Sequence, residues 1–230
     1  MVSEALKLVS FELCPYVERS RIVLLEKGLP HRVEFIDLAN KPDWFLRVSP
    51  MGRVPVLLIG DRPVFESMII NELLDELHPD PPLMPGEPIG RAEARGWIVY
   101  ANEVVMPASH SAALALSTPD AGSAPEKSLT ALQEALAKLE AQVSRGGGPF
   151  FSGGRFSLAD AAYAPFFRRW RVVESLGRPG SELLARLPGV AAWAEALAAR
   201  PSVRAAEPAA FAERYRGLLE QRVARARVQV

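Results

Sequence analysis

The sequence predicts an α/β unit followed by an all-α unit, joined by a proline-rich segment. Three observations carry this. Within residues 1–78, short stretches alternating apolar and polar residues, the period of a strand, interleave with stretches of helical period. Residues 79–88 hold five prolines, too many for a helix or a central strand. Beyond Ile89, apolar residues recur at spacings of three and four. The expected division is therefore 1–78, a linker at 79–88, and 89–230. The first unit reads β-α-β, a short helical excursion, then β-β-α, which makes a four-stranded mixed sheet.

Leu6 to Phe11 alternates and reads as the first strand. Ile22, Val23, Leu24 and Leu25, set among charged residues, read as an amphipathic helix that begins near Pro15 and ends at Gly28. His31 to Leu38 is a second strand, parallel to the first across that helix. Pro42 introduces a short helix or turn, and Ser49 to Arg53 is a loop. Val54 to Ile59 is a third strand with proline near its start, where a missing N–H is tolerated. Gly60 to Pro63 turns the chain into a fourth, hairpin-paired strand at Val64 and Phe65. Glu66 and Ser67 open a helix with Ile69, Ile70, Leu73, Leu74 and Leu77 on its apolar face.

Past the linker, Arg91 to Leu116 reads as helix, kinked or broken at Pro107. Thr118 to Pro125 is a loop. Leu129, Leu132, Leu136, Leu139 and Val143 mark a long amphipathic helix that Gly146, Gly147 and Gly148 stop. Ser157, with Asp160 three residues on, forms a variant capping box for the next helix. Further helices are expected at Val190–Ala199, from Pro201, and at Pro208–Leu219, with a frayed basic tail from Arg222. There is no internal repeat.

A chain of 230 residues with 27 basic and 27 acidic side chains carries no net field toward nucleic acid. No segment approaches the roughly 18 apolar residues of a membrane span, and the N-terminus lacks a basic and then apolar leader. One cysteine permits no internal disulfide, which fits a reducing, cytoplasmic setting. His31, His78 and His110 are scattered, without metal-ligand spacing.

That single cysteine, Cys14, falls at the turn between the first strand and the first helix, with Pro15 in the first helical turn. Backbone N–H groups and the positive end of the helix dipole would face its sulfur, an arrangement that lowers a thiol pKa and favours the nucleophilic thiolate. The other reading is a small buried hydrophobe.

Five motifs, in order, resemble the cytosolic glutathione transferases over nearly the whole chain. Cys14-Pro15-Tyr16-Val17 is similar to the active-site start of the omega class and its bacterial relatives. Asn40-Lys41-Pro42-Asp43-Trp44-Phe45 is similar to the omega stretch with a glutathione-binding lysine. Ser49 to Leu57 resembles the loop with a cis-proline, Phe65-Glu66-Ser67 the γ-glutamyl-binding pair, and Phe156 to Asp160 the folding box of the helical domain. The resemblance implies a thioredoxin-like first domain and a homodimer. It also implies glutathione-dependent reduction through Cys14, of thioltransferase, dehydroascorbate reductase or deglutathionylation type. With Val17 where a second cysteine would stand, the implied cycle is monothiol. Glutathione would be held by Lys41 at its glycyl carboxylate, by the backbone of Val54, and by Glu66 and Ser67 at its γ-glutamyl end. No metal is implied.

The second substrate's pocket is expected between the domains, with Tyr100, Val104, Phe166, Trp170, Phe211 and Tyr215 as candidate lining. Arg168, Arg169 and Arg171 form a basic cluster that reads as a solvated face or an anion site. Ser157 and Asp160 are expected only to cap. Two other functions share this architecture: glutathione-dependent ether cleavage or dehalogenation, and a non-enzymatic partner-binding protein of stringent-starvation type. Cys14, Lys41, Val54-Pro55, Glu66 and Ser67 occurring together favour an enzyme.

Overall fold

A computed structural model describes residues 5–118 and 124–228. The strands are β1 (Leu6–Ser10), β2 (His31–Phe35), β3 (Val56–Ile59) and β4 (Arg62–Phe65). They form one sheet in the order β2-β1-β3-β4. β1 and β2 run parallel, while β3 is antiparallel to both β1 and β4. Helix α1 (Pro15–Glu26) makes the crossover that the parallel pair β1 and β2 requires. Helix α2 (Asp43–Val48) fills the excursion and α3 (Ser67–Leu77) closes the unit.

Alternation along the strands separates two buried faces. Leu8 and Leu57 point into the main core with Ile22, Val23, Leu24, Ile70 and Leu74 from α1 and α3. Val9, Val56 and Leu58 point the other way, where α2 lays Phe45 over them. The face expected for α3 is only half used. Ile70 and Leu74 are buried, but Ile69 and Leu77 stay exposed at 51% and 52%. The helix has a protein layer on one side only.

The proline-rich joint is tied down. Lys27, whose side chain has no exposure, donates to the carbonyls of His78 and Pro81 at 2.6 and 2.7 Å and pairs with Asp75 at 2.6 Å. Asp75 also accepts from the backbone N–H of Leu83 and Met84. A buried cation satisfied by two carbonyls and a carboxylate is stable where a lone one would not be.

Helix α4 (Pro88–Tyr100) starts at Pro88, with the Glu87 carboxylate accepting from the N–H groups of Ile89 and Gly90. It runs into a π turn, Ala101–Val105, and then α5 (Met106–Ser117). Pro107 lacks the N–H that residue Glu103's carbonyl would take in a regular helix, and its ring would strike that carbonyl. Widening the preceding turn relieves the clash. The expected kink is thus a π turn placed before the proline.

Helices α6 (Ala124–Gly146), α7 (Leu158–Glu174), α8 (Pro188–Ala199), α9 (Pro201–Ala205) and α10 (Phe211–Val228) complete the bundle. The expected loop at Thr118–Pro125 lies mostly outside the described residues. The basic tail expected to fray is part of α10, which continues to Val228. Ser157 caps α7 with the full reciprocal box, but Asp160 does more than cap. Its Oδ1 also accepts from Trp193 Nε1 at 2.7 Å and from the Phe151 N–H at 2.9 Å. One buried carboxylate thus fastens α7, α8 and the Phe151 turn.

Candidate functional site

Cys14 is the N-cap residue of α1, with φ −74° and ψ 120°. Its own N–H donates back to Phe11 at 3.0 Å, which fixes the turn from β1. The sulfur lies 4.0 Å from the carbonyl oxygen of Val54, across the chain at the mouth of β3. The Val54–Pro55 bond is cis. The thiol is displaced upward from its ordinary pKa, not downward as the motif suggested. Burial is the largest cause, and it outweighs the N–H groups of Val17 and Tyr16 and the charges of Arg169 and Arg19, all of which favour thiolate.

A cavity of about 300 Å³ opens on the other side of Val54; Cys14 is not among its lining residues and is linked to it through Val54. Tyr16 from α1, Val54 and Pro55 before β3, and Glu66 and Ser67 at the start of α3 form one side. Glu66 stands in the left-handed region at φ 70°, ψ 119°, an uncommon place for a non-glycine residue. Strained backbone of this kind persists only where neighbours enforce it, and it turns the chain sharply from β4 into α3. Ser67 is buried in that turn. Ser49, which also lines the cavity, holds the loop before β3: its hydroxyl donates to the Arg53 carbonyl at 2.8 Å and accepts from the Arg53 N–H at 2.9 Å.

Lys41 is exposed and does not line this cavity. Its ammonium lies against the next loop, where a Cβ added to Gly52 would come 3.4 Å from Nζ. Met51 and Arg53, on either side of that glycine, do line the cavity.

The helical half contributes Asn102 and Glu103, both in the π turn. Neither was singled out in the sequence. The signal available was Pro107, since a proline within a long helical pattern forces an irregular turn just upstream. Asn102 accepts from Arg19, an arginine at 1% exposure whose Nε and Nη2 find no partner among the described residues. Burial lowers the Arg19 pKa to about 10. Its guanidinium also lies over the Tyr16 ring, 4.9 Å from the centroid. Arg19 therefore links two walls of the cavity, one from each half of the chain.

The residues expected for the second substrate do not converge on one wall. Phe166 and Trp170 are core residues at 1% exposure. The Tyr100 hydroxyl is spent on the Ala135 carbonyl at 3.1 Å, and Val104 is exposed. Phe211 and Tyr215 stack on each other, with Arg169 over both rings. The basic cluster divides: Arg168 and Arg169 are turned inward, while Arg171 stays on the solvated face. Arg168 and Arg169 pair with Glu18 of α1, and Arg169 also donates to the Leu13 carbonyl at 2.9 Å. Arg171 pairs with Glu195. Among the described residues no group of three or more potential metal ligands occurs, and no helix is long and apolar enough to cross a membrane.

Family models for the glutathione S-transferase N-terminal and C-terminal domains match residues 13–77 and 112–196. A probable glutathione S-transferase, GSTU6, of Oryza sativa subsp. japonica is 32% identical, covering 90% of this chain and 89% of the rice protein. Glutathione S-transferase omega-1 of Sus scrofa is 29% identical over 87% of this chain and 79% of its own. Among solved structures, that of rice GST1 (OsGSTU1) in complex with glutathione superimposes with a TM-score of 0.83 at 30% identity, covering 98% of this chain and 99% of that one. The thioredoxin-like sheet unit, the helical unit behind it and these likenesses over almost the whole length agree: the chain belongs to the glutathione S-transferase family.

Proposed function

We propose that the chain is a glutathione-dependent thiol transferase of omega-like type, acting through Cys14. The observation that carries this is the sulfur at the start of α1, 4.0 Å from the carbonyl of Val54, which itself lines the cavity of Glu66 and Ser67. The likeness to omega-1 supports the cysteine-dependent reading, while the likeness to the GSTU proteins supports the family more broadly. Residues 1–78 would bind glutathione, and residues 89–230, beyond the joint at 79–88, would hold the second substrate.

Glutathione would lie along the cavity. The N–H groups at the start of α3 and the Ser67 hydroxyl suit the γ-glutamyl carboxylate, and Glu66 suits its ammonium. The Val54 backbone would pair with the cysteinyl unit. Lys41, beside Gly52, would meet the glycyl carboxylate from the cavity's outer edge.

The chemistry is two thiol–disulfide exchanges. The Cys14 thiolate attacks the glutathione sulfur of a mixed disulfide, that S–S bond breaks, and the substrate leaves as its thiolate. A second glutathione thiolate then attacks the glutathione sulfur held on Cys14, glutathione disulfide leaves, and the Cys14 thiolate is restored. A buried, weakly acidic thiol is a strong nucleophile once ionised but a poor leaving group. Burial of Cys14 therefore weighs on both exchanges: it lowers the thiolate fraction available for the first attack and makes Cys14 a poorer leaving group in the second.

A homodimer is part of this proposal, supported by the exposed apolar residues Phe65 and Ile69 at the β4–α3 corner. Light scattering at micromolar concentration would read the mass directly.

The test is glutathione-coupled reduction of hydroxyethyl disulfide by the wild type and by Cys14→Ser. Turnover lost in the variant supports the reading. No turnover in a wild type that still binds glutathione would overturn it in favour of ether cleavage or dehalogenation. With neither turnover nor binding, the chain would be a partner-binding protein on this scaffold.

A further inference from the structure

Among the described residues three cations are buried: Arg19, Lys27 and Arg169. A cation taken out of water is costly unless a carboxylate accompanies it. Lys27 has Asp75, and Arg169 has Glu18. Arg19 is the deepest of the three, and it meets no carboxylate among the described residues. Its hydrogen-bond partner is the neutral side chain of Asn102, from the π turn, while Nε and Nη2 have none. Glu18, the preceding residue on α1, is already engaged by Arg168 and Arg169.

The groups that act most on the Arg19 charge are Tyr16 and Cys14 of α1 and Tyr163 and Arg169 of α7. Burial pushes both phenols upward, so Tyr16 and Tyr163 stay neutral at working pH. Arg169 is a cation. Of the four, Cys14 alone becomes an anion, as the thiolate of each exchange. Burial holds the Cys14 thiol neutral, and Arg169 and Arg19 pull it toward thiolate. Arg169 shares its charge with the Glu18 carboxylate at 2.7 Å. Arg19 shares its own with no carboxylate. Glu103 of the π turn and Glu66 before α3 act on Tyr16, whose ring centroid is 4.9 Å from the guanidinium, and neither pairs with Arg19.

Given the role proposed for Cys14, on which this rests, we infer that Asn102, as an amide, leaves the Arg19 charge uncompensated, and that this buried cation acts as a positioning residue that favours the Cys14 thiolate. Arg19 touches no substrate and acts through the sulfur. The thiolate it favours is the attacking group of the first exchange and the leaving group of the second. Asn102→Asp would compensate the buried charge with almost no change in size. It should make the fold more stable and the thiol less reactive. A role confined to bracing α1 against the π turn would give the first effect without the second.

Cys14 is the only cysteine of the chain, so alkylation reads its thiolate alone. The full chain is alkylated with iodoacetamide from about pH 7 to about pH 9, below the value of about 10 to which burial lowers Arg19. Four proteins are compared: wild type, Asn102→Asp, Asn102→Ala and Arg19→Met. Circular dichroism and urea unfolding establish that each is folded and give its midpoint. Asn102→Ala is the control for access, since it opens the same spot without adding charge. Alkylation uses no glutathione. A wild type that fails to turn over a disulfide therefore leaves this test standing, and a failure here leaves the turnover test standing.

Asn102→Asp should alkylate about fivefold or more slowly than Asn102→Ala across this range, because a partner carboxylate cancels the cation's field at the sulfur. Its urea midpoint should lie above that of wild type. Arg19→Met should slow by a similar factor, and Asn102→Ala should stay within about twofold of wild type. A raised midpoint with alkylation as fast as in Asn102→Ala would overturn the inference, since Arg19 would then only brace the two halves of the chain. Midpoint and alkylation both unchanged would overturn it too, since the new carboxylate would have met no uncompensated charge. Slow alkylation in Asn102→Asp beside a wild-type rate in Arg19→Met would mean that the carboxylate repels the thiolate directly, which is a third way to lose it. If Arg19→Met does not fold, the midpoint of Asn102→Asp decides instead: a rise shows that the carboxylate pairs with Arg19, and a fall below wild type overturns the inference.

Discussion

Glu18 accepts from two arginines at once: its Oε1 from Arg168 Nε at 2.6 Å and its Oε2 from Arg169 Nη1 at 2.7 Å. Glu18 is on α1 and both arginines are on α7, so this buried carboxylate joins the sheet unit to the helical unit four residues after Cys14. Removing it would leave the buried Arg169 with only the Pro165 and Leu13 carbonyls, while Arg168 would keep Glu207. Glu18→Ala should cost about 3–5 kcal/mol, the scale for breaking a buried pair from one side. Urea unfolding measures this, and a loss below about 1 kcal/mol would show that water reaches the arginines after all.

Cys14 should ionise late. Burial raises its pKa, so the rate of iodoacetamide alkylation in the folded protein should go on climbing with pH past the ordinary thiol value of about 8.5. The same protein in denaturant should level off near that value. A folded-state plateau at lower pH would mean that the α1 N-terminus and the charges of Arg19 and Arg169 prevail over burial.

Backbone strain and side-chain chemistry can be separated at Glu66. With φ at 70°, glycine there relieves the backbone while removing the carboxylate. Glu66→Gly should hold or raise stability, by up to about 1 kcal/mol. It should also raise the KM for glutathione by about tenfold or more, as a lost charged contact would. Unchanged KM would remove Glu66 from the binding role proposed for it.

His110 sits against Arg222, whose Nη1 is 3.0 Å from Nε2 and 3.2 Å from Nδ1 of the ring. Burial, and then the arginine's charge, push the His110 pKa down. The unfolded chain therefore binds the proton more readily. The contribution of the neutral ring is complete above the unfolded value of about 6.5 and is lost as pH falls through it toward the folded value. Cooling of Tm between about pH 7 and about pH 5 should be smaller in His110→Gln than in the wild type. Parallel curves would show that this contact does not titrate.

Asp160→Ala removes the acceptor of the Trp193 and Phe151 donors together with the α7 cap. Each buried donor left unpaired costs about 1–3 kcal/mol, so the variant should be among the least stable single substitutions in the helical unit. Thermal unfolding checks this against Ser157→Ala, which should lose only about 1 kcal/mol with the cap.

Much of this was legible in sequence because it rests on local rules. Period-2 and period-3.6 patterns placed β1, α1, β2 and α6, Pro15 marked the start of α1, and the Ser157–Asp160 spacing marked the cap of α7. What was not legible depends on contacts far apart in the chain. Asp160 looks like a capping residue until Trp193, 33 positions later, is folded against it. Arg168 and Arg169 look like a solvated cluster until Glu18, about 150 positions earlier, meets them. The Cys14 environment misleads for the same reason: a helix start is a local feature, whereas burial is set by everything packed around it. Asn102 and Glu103 were hidden because no periodicity announces which face a π turn will expose.

The π turn at Ala101–Val105 also works as a gear tooth. One residue added to a helix rotates everything beyond it by about 100°. α4 and α5 can thus each keep their own buried face while the joint swings Asn102 and Glu103 out toward Tyr16 and Glu66. A one-residue deletion in this turn would straighten the rod and throw one face or the other out of mesh. Point substitutions at the same positions would leave the gearing intact and change only what the cavity reads.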